Sequence, residues 1–403
     1  MLTRRFGLLA SAFAFMAGPA MAEVKHPHAA AHKGKDAAAL PPASPGDTPL
    51  GPVDTTAQWG YIQDFDTGAT LFDKQADTEV PPSSMTKLMT LYLTYDQLKQ
   101  GKLKLTDQLP VSEKAWRMQG SKMFVAIGST VPVEDLIRGV VVDSGNDAAI
   151  VLAEAIGGSE EQFVEKMNAK AKELGLTHSY FKTCTGWPDP EQHMSCRDIA
   201  TLAGDIIRQF PMYYHYDEEK TFKYNGIEQG NRNPMVQKGT ADGLKTGHTE
   251  AGGYGLVASS KRNGRRVILV LNGMATMRER AEESERLMDW AFFNFEDVTL
   301  FSAGDAVENV PVWLGTSHTV PLVAGRDVIV TMPRNWRQKA AVKVSYDAPL
   351  SAPVAKGDAV GKLTVTGDGV PHIDIPLMAG ADVPRLGLPG RALAVLSKYV
   401  TGA

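Results

Sequence analysis

The chain has 403 residues, 43% hydrophobic and 22% charged, which excludes a disordered protein and leaves room for two or three folded domains. Its 42 basic and 46 acidic residues give a net charge of −4, so no basic field that would hold nucleic acid is expected. Only Cys184 and Cys196 carry thiols, which excludes a disulfide-rich scaffold, a redox C-x-x-C site and zinc-finger spacing.

Arg4 and Arg5 lead an apolar run from Phe6 to Ala17, and Ala20-Met21-Ala22 follows as a small-x-small cleavage site. This is the pattern of a secretory signal peptide over residues 1–22, too short to span a bilayer. The mature chain is then expected to begin near Glu23, outside the cytoplasm, where two cysteines are able to pair. Their spacing leaves the disulfide open, because it says nothing of how the Cβ vectors point. No other stretch approaches ~20 uninterrupted apolar residues, so no internal transmembrane helix is expected. Residues 23–53 are rich in Ala, Pro, Lys and His without apolar periodicity and read as a flexible linker. His26, His28 and His32 read there as solvated side chains rather than metal ligands.

Order is expected from Trp59. Trp59 to Asp64 reads as a strand, Asp66-Thr67-Gly68 as a hairpin turn, and Thr70-Leu71-Phe72 as the returning strand. Pro81-Pro82-Ser83 halts the chain before a helical run from Ser84 to about Lys99, apolar on most faces and so central in its domain. That run opens with Ser84-Met85-Thr86-Lys87, which sets a hydroxyl and an amine three residues apart on one helix face. A serine hydroxyl is a poor nucleophile until a base takes its proton, and an unprotonated lysine is able to be that base. Alone, the tetrapeptide is a weak signal, since most such sequences are solvated helix surface.

From Val111 to about Arg208 the pattern is mostly helical. One helix opens at Val133, a turn carries Ser144-Gly145-Asn146, and a second helix runs from Asp147 to Ile156. Ser159 precedes Glu160 and Glu161 as an N-cap with an acidic first turn, and Ser195 with Asp198 forms a further helix start. Strand character returns with Lys245-Thr246-Gly247. The runs Tyr254–Ser260 and Arg265–Leu271 flank Asn263-Gly264, a strong hairpin signal. A helix from about Arg278 to Phe295 sets Leu287, Trp290 and Phe293 at helical spacing. Strands, a helical insert, then strands and a helix imply a mixed α/β sheet domain with an all-helical lobe over residues 54–296. Gly and Pro punctuation then marks a small β-rich domain over residues 297–380. Residues 381–403 place Leu393, Leu396 and Val400 on one side and Arg391, Ser397 and Lys398 on another. Such a basic amphipathic tail suits an anionic membrane interface, or docking on its own domain.

Ser84-x-x-Lys87, Ser144-x-Asn146 and Lys245-Thr246-Gly247 stand 60 and 101 residues apart in an order shared by penicillin-binding proteins and serine β-lactamases. With Pro81 to Thr90, Asp143 to Ala149 and Lys245 to Thr249 around them, the chain resembles the low-molecular-mass penicillin-binding proteins, specifically the periplasmic D-alanyl-D-alanine carboxypeptidases. The likeness runs from about Ala57 to Phe295. It implies an α/β, β-lactamase/transpeptidase-like domain, with an antiparallel sheet flanked by helices plus an all-helical lobe. A small all-β domain and a C-terminal amphipathic helix are expected to follow, the helix as a peripheral contact with the inner membrane.

The resemblance also implies roles. Ser84 attacks the carbonyl of a terminal D-Ala-D-Ala bond, and Lys87 takes its proton, its pKa lowered by burial and by the charge of Lys245. Ser144 relays a proton to the leaving D-alanine, while Asn146 orients Lys87 and the substrate amide. Lys245 and Thr246 hold the substrate carboxylate, and Gly247 lets the strand backbone approach the substrate. The backbone N–H groups of Ser84 and His248 form the oxyanion hole. Arg280 is the expected carboxylate-binding arginine, with Arg278 as its rival. The segment Gly120 to Phe124 and His193 border the cleft without joining the catalytic set. Implied partners are peptidoglycan stem peptides and β-lactams, and neither a metal nor an organic cofactor is implied. A class A β-lactamase would need a glutamate-held water, and no E-x-x-L-N element lies between Asn146 and Lys245. An endopeptidase, a transpeptidase and a catalytically dead wall-binding module are the other readings.

Overall fold

Two strands joined by an aspartate-built turn open the sheet. In the computed structural model, which describes residues 44–367 and 370–401, β1 (Trp59–Asp64) pairs antiparallel with β2 (Thr70–Lys74). Asp64 closes the turn by accepting from the backbone N–H of Asp66 and Thr67 and from the Thr67 hydroxyl. The expected signal peptide and His26, His28 and His32 lie outside the described residues. The linker expected to reach Val53 already pairs earlier, through bridges of Gly46 with Val53 and Asp47 with Asp73. Those backbone hydrogen bonds to the β2 edge end the tether sooner than its composition suggests.

Helix α1 (Lys87–Lys99) is buried from Lys87 through Tyr95, as its apolar run on most faces requires. Around it pack α2 (Val133–Val141), α3 (Asn146–Gly157), α4 (Glu160–Glu173) and α5 (Cys196–Gln209), the helical lobe. The Ser159 and Ser195 hydroxyls cap α4 and α5 by accepting from the N–H groups of Gln162 and Asp198. Cys184 and Cys196 are both buried free thiols, so the disulfide left open by their spacing is not formed.

Three further strands, β3 (Gly243–Thr249), β4 (Gly253–Arg262) and β5 (Arg265–Met274), complete an antiparallel sheet in the order β2-β1-β5-β4-β3. The β4–β5 turn places Asn263 at φ 50° and Gly264 at φ 88°, the left-handed pair that a tight hairpin needs. On β5, Ile268 and Val270 join the helical-lobe core, while Val267, Leu269 and Leu271 join a second core on the other face. Alternation with period two thus buries this strand on both sides. Helix α6 (Met277–Asn294) covers the second core through Leu287, Met288 and Ala291. Phe293, expected on the same face, is 76% exposed. Six residues from Leu287 it lies about 240° around the helix axis, so the spacing does not bring it inward.

Strand Phe295–Phe301 follows α6 directly and pairs with Val328–Pro333. A six-stranded sheet of the remaining chain packs over Val310, Leu322, Leu363, Val365 and Leu377. Arg265 joins the two regions: its Nε donates to Asp64 Oδ2 at 2.9 Å and to Asp297 Oδ1 at 3.2 Å. Asp64 is fully buried, so removing the guanidinium leaves two carboxylates unpaired in low dielectric. Arg265→Ala is therefore expected to destabilise the fold by about 3–5 kcal/mol, read as an earlier unfolding transition in urea. A midpoint unchanged from wild type would show that water replaces the arginine. The last helix, α7 (Leu388–Thr401), exposes Leu388, Leu393 and Leu396. Among the described residues no helix is long and apolar enough to cross a membrane.

Candidate active site

The nucleophile's position is set before α1 begins. Residues Ser83–Thr86 form a single 3₁₀ turn that enters α1 at Lys87, tighter than the α-helix expected from Ser84 onward. The three-residue spacing nonetheless brings Lys87 Nζ to 2.9 Å from Ser84 Oγ. The same amine donates to the Thr185 carbonyl at 2.6 Å. Lys87 is completely buried, and that burial brings its pKa down to about 7. Desolvation of the ammonium is the largest cause, and the repulsion between Lys87 and Lys245 disfavours charge on both amines together.

A second serine–lysine pair faces the first. Ser144, between α2 and α3, holds a left-handed backbone at φ 58°, and its Oγ accepts from Lys245 Nζ at 2.8 Å. Lys245 also donates to the Thr246 carbonyl at 3.3 Å. Burial, then the positive charges of Lys87, Arg232 and Arg280, push the Lys245 pKa well below its ordinary value. The turn carrying Ser144 is held on every side. Gly145 N–H donates to the Gly139 carbonyl, Asn146 N–H to the Ser121 carbonyl, and the Asp147 carboxylate accepts from the N–H groups of Met123, Phe124 and Val125. Such bracing is what sustains a strained non-glycine backbone.

Asn146 is anchored to a neighbouring loop. Its Nδ2 donates to the Gln119 carbonyl at 2.7 Å, whereas Lys87 donates to Ser84 and Thr185. A backbone carbonyl has no side-chain signature, so the Thr185 contact left no trace in the sequence. Gly247 packs closely on the turn before α1. A Cβ there would stand 2.9 Å from Ser83 Cβ and 3.0 Å from the Pro82 carbonyl oxygen. Its bareness lets β3 press against the nucleophile's own turn.

Thr246 is buried beside Lys245, while the His248 ring is exposed and stacks on Tyr254 with centroids 3.9 Å apart. Arg280, at the start of α6, is buried; it donates to the Arg232 carbonyl at 3.5 Å and lies 5.8 Å over the Tyr254 ring. Its Nε is buried without a hydrogen-bond partner among the described residues. The rival Arg278 points to solvent and pairs with Glu282 at 2.8 Å. Arg232, whose charge bears on Lys245, carried no motif and was missed.

The cleft over these groups has a volume of about 890 Å³, and Ser84, Gly120, Asn146, Thr185, His193 and His248 are among its lining residues. The arrangement supplies an oxygen nucleophile, a buried base touching it, a second hydroxyl–ammonium pair, and cationic donors for a substrate carboxylate. That set suits acyl transfer.

The family model described as D-alanyl-D-alanine carboxypeptidase matches residues 47–276, and that of the penicillin-binding protein 5 C-terminal domain matches residues 295–385. The D-alanyl-D-alanine carboxypeptidase DacA of Haemophilus influenzae is 39% identical, over 84% of this chain and 88% of its own length. The crystal structure of penicillin binding protein 5 from Haemophilus influenzae superposes with a TM-score of 0.75 at 39% identity, covering 83% of this chain and 99% of that one. Penicillin-binding protein D2 from Listeria monocytogenes in its ampicillin-bound form gives a TM-score of 0.55 at 26% identity, covering 60% of this chain and 98% of that one.

Proposed function

The chain belongs to the D-alanyl-D-alanine carboxypeptidase family, and from that premise we propose that it removes the terminal D-alanine from peptidoglycan stem peptides ending in D-Ala-D-Ala. The observation that carries the reading is Lys87 Nζ at 2.9 Å from Ser84 Oγ, with the amine's pKa brought to about 7 by burial. Near neutral pH a large share of Lys87 is then unprotonated and able to take the Ser84 proton as Oγ attacks the scissile carbonyl.

Lys245, Thr246 and Arg280 hold the terminal carboxylate, and the N–H groups of Ser84 and His248 receive the developing oxyanion. Asn146 holds the substrate amide, and Gly247 keeps β3 seated behind the nucleophile. Collapse of the tetrahedral intermediate breaks the peptide bond. The proton that Lys87 took passes through Ser144, hydrogen-bonded to Lys245, to the departing nitrogen, which leaves Lys87 neutral again. Lys87 then takes a proton from a water as that water attacks the acyl carbonyl, and returns it to Ser84 Oγ as the ester bond breaks and the shortened peptide leaves.

A β-lactam presents a carboxylate and a strained amide in the same places, and ring opening acylates Ser84 while the leaving nitrogen stays attached. The ampicillin-bound relative supports that outcome. We place the enzyme in the periplasm after removal of residues 1–22. Residues 54–296 form the catalytic domain and residues 297–380 its β-rich companion. Helix α7 would lie on the inner membrane, which its exposed leucines support, while Val383 before it is buried in the β-rich domain. Trimming of pentapeptides there removes donors for cross-linking and so bears on wall maturation and cell shape.

The test is D-alanine release from diacetyl-L-Lys-D-Ala-D-Ala, run beside a cross-linked muropeptide and penicillin. Release from the linear peptide, with slow penicillin turnover, is the expected result. Cleavage confined to the cross-linked substrate would make the protein an endopeptidase, and rapid penicillin turnover would make it a β-lactamase.

A further inference from the structure

We propose that Gln192 is a positioning residue for acylation, clamping the loop that carries the Thr185 carbonyl onto the turn that carries Ser84. This rests on the reading of Ser84 and Lys87 as nucleophile and base. Gln192 is 4% exposed and uses both ends of its amide. Its Oε1 accepts from Lys182 N–H at 2.9 Å, Thr183 N–H at 2.8 Å and the Thr183 hydroxyl at 3.2 Å. Its Nε2 donates to Thr86 Oγ1 at 3.2 Å. One side chain thus joins the start of the loop to the residue preceding Lys87.

Between those anchors the loop reaches the catalytic pair. The Cys184 carbonyl accepts from Thr90 Oγ1 at 2.7 Å, and the Thr185 carbonyl from Lys87 Nζ at 2.6 Å. Gly186, at φ 80°, lies so near the Ser83 carbonyl that a Cβ would stand 1.8 Å from its oxygen. The loop therefore lies flat against the nucleophile's turn, and its relative position decides where the Thr185 carbonyl sits. That carbonyl matters because a neutral amine has two N–H bonds and one lone pair. With an N–H committed to Thr185, the lone pair turns toward the Ser84 hydroxyl, the orientation that proton transfer needs. Gln192 acts on this geometry through Thr86 and Thr185.

The experiment measures single-turnover acylation by a chromogenic cephalosporin and steady-state release from diacetyl-L-Lys-D-Ala-D-Ala. Rates are normalised to the active sites titrated by penicillin. Gln192→Met keeps the volume and loses the amide, while Thr86→Val removes only the far hydrogen bond. Each is expected to lower kcat and the limiting acylation rate about tenfold with KM unchanged. The double variant should be no slower than the slower single one, because both remove one clamp. A kcat per titrated site within twofold of wild type would overturn the proposal, as would fully multiplicative losses in the double variant or a change in KM alone. Should Gln192→Met fail to fold, Thr86→Val still decides through the same kcat and KM readout. A wild type that penicillin does not acylate would instead remove the underlying assignment of Ser84 and Lys87.

Discussion

Ser84→Ala is expected to abolish both covalent labelling by a fluorescent penicillin and D-alanine release, a loss of about 10⁴-fold or more in kcat. Among the described residues, the substitution removes the only side-chain oxygen hydrogen-bonded to Lys87; the amine's other acceptor, the Thr185 carbonyl, is not a nucleophile. No neighbouring hydroxyl is placed to substitute. Ser83 Oγ donates to Thr249 Oγ1 at 3.2 Å, and Ser144 Oγ is engaged by Lys245 at 2.8 Å. Ser84 is only partly buried, so the fold should tolerate the loss within about 1 kcal/mol. Lys245, Thr246 and Arg280 remain, so substrate still binds, and equilibrium dialysis of the variant with the tripeptide separates lost chemistry from lost affinity. Labelling that persists in Ser84→Ala would place the nucleophile elsewhere.

The second large effect is on pH dependence. Acylation is expected to rise about tenfold per pH unit up to about 7 and then level off, because Lys87 serves as a base only when neutral and burial sets its pKa at about 7. Below that pH the ammonium has no lone pair to offer. Lys87→Met should lower acylation by about 10³-fold and flatten this acidic limb. Asp143 needs its own control. It is buried beside Ser144 with Oδ1 unpartnered among the described residues, and burial pushes its pKa up to about 7 as well. Asp143→Asn should leave the limb in place if Lys87 is its source, and a limb that vanishes in that variant would transfer it to Asp143. The stopped-flow rate of penicillin acylation from pH 5 to 9 reads all three proteins. On the alkaline side, binding should weaken as Lys245, its pKa lowered by burial and by neighbouring positive charge, loses its proton. A bound substrate carboxylate opposes that loss by favouring the ammonium.

Much of this protein is determined by local sequence. The turn at Asn263-Gly264, the caps at Ser159 and Ser195, the buried run of α1 and the β1–β2 hairpin depend on residues within a few positions of one another. Backbone sterics and short-range hydrogen bonds settle such features wherever they occur. The Ser84–Lys87 contact belongs to the same class, since one helical turn brings the two together whether it is 3₁₀ or α. Tertiary structure decided the rest. Lys245 meets Ser144 across 101 residues, and Lys87 meets the Thr185 carbonyl across 98. The second of these uses a backbone acceptor that any residue type supplies. The depth that lowers the Lys87 pKa, the bareness of Gly247 against Pro82 and the anchoring of Asn146 by Gln119 all arise from packing between distant segments. Phe293 turns to solvent for a local reason, lying about 240° around the helix axis from Leu287. Motif residues announced the chemistry; desolvation and loop placement, which no local pattern encodes, put a base of the right strength against its nucleophile.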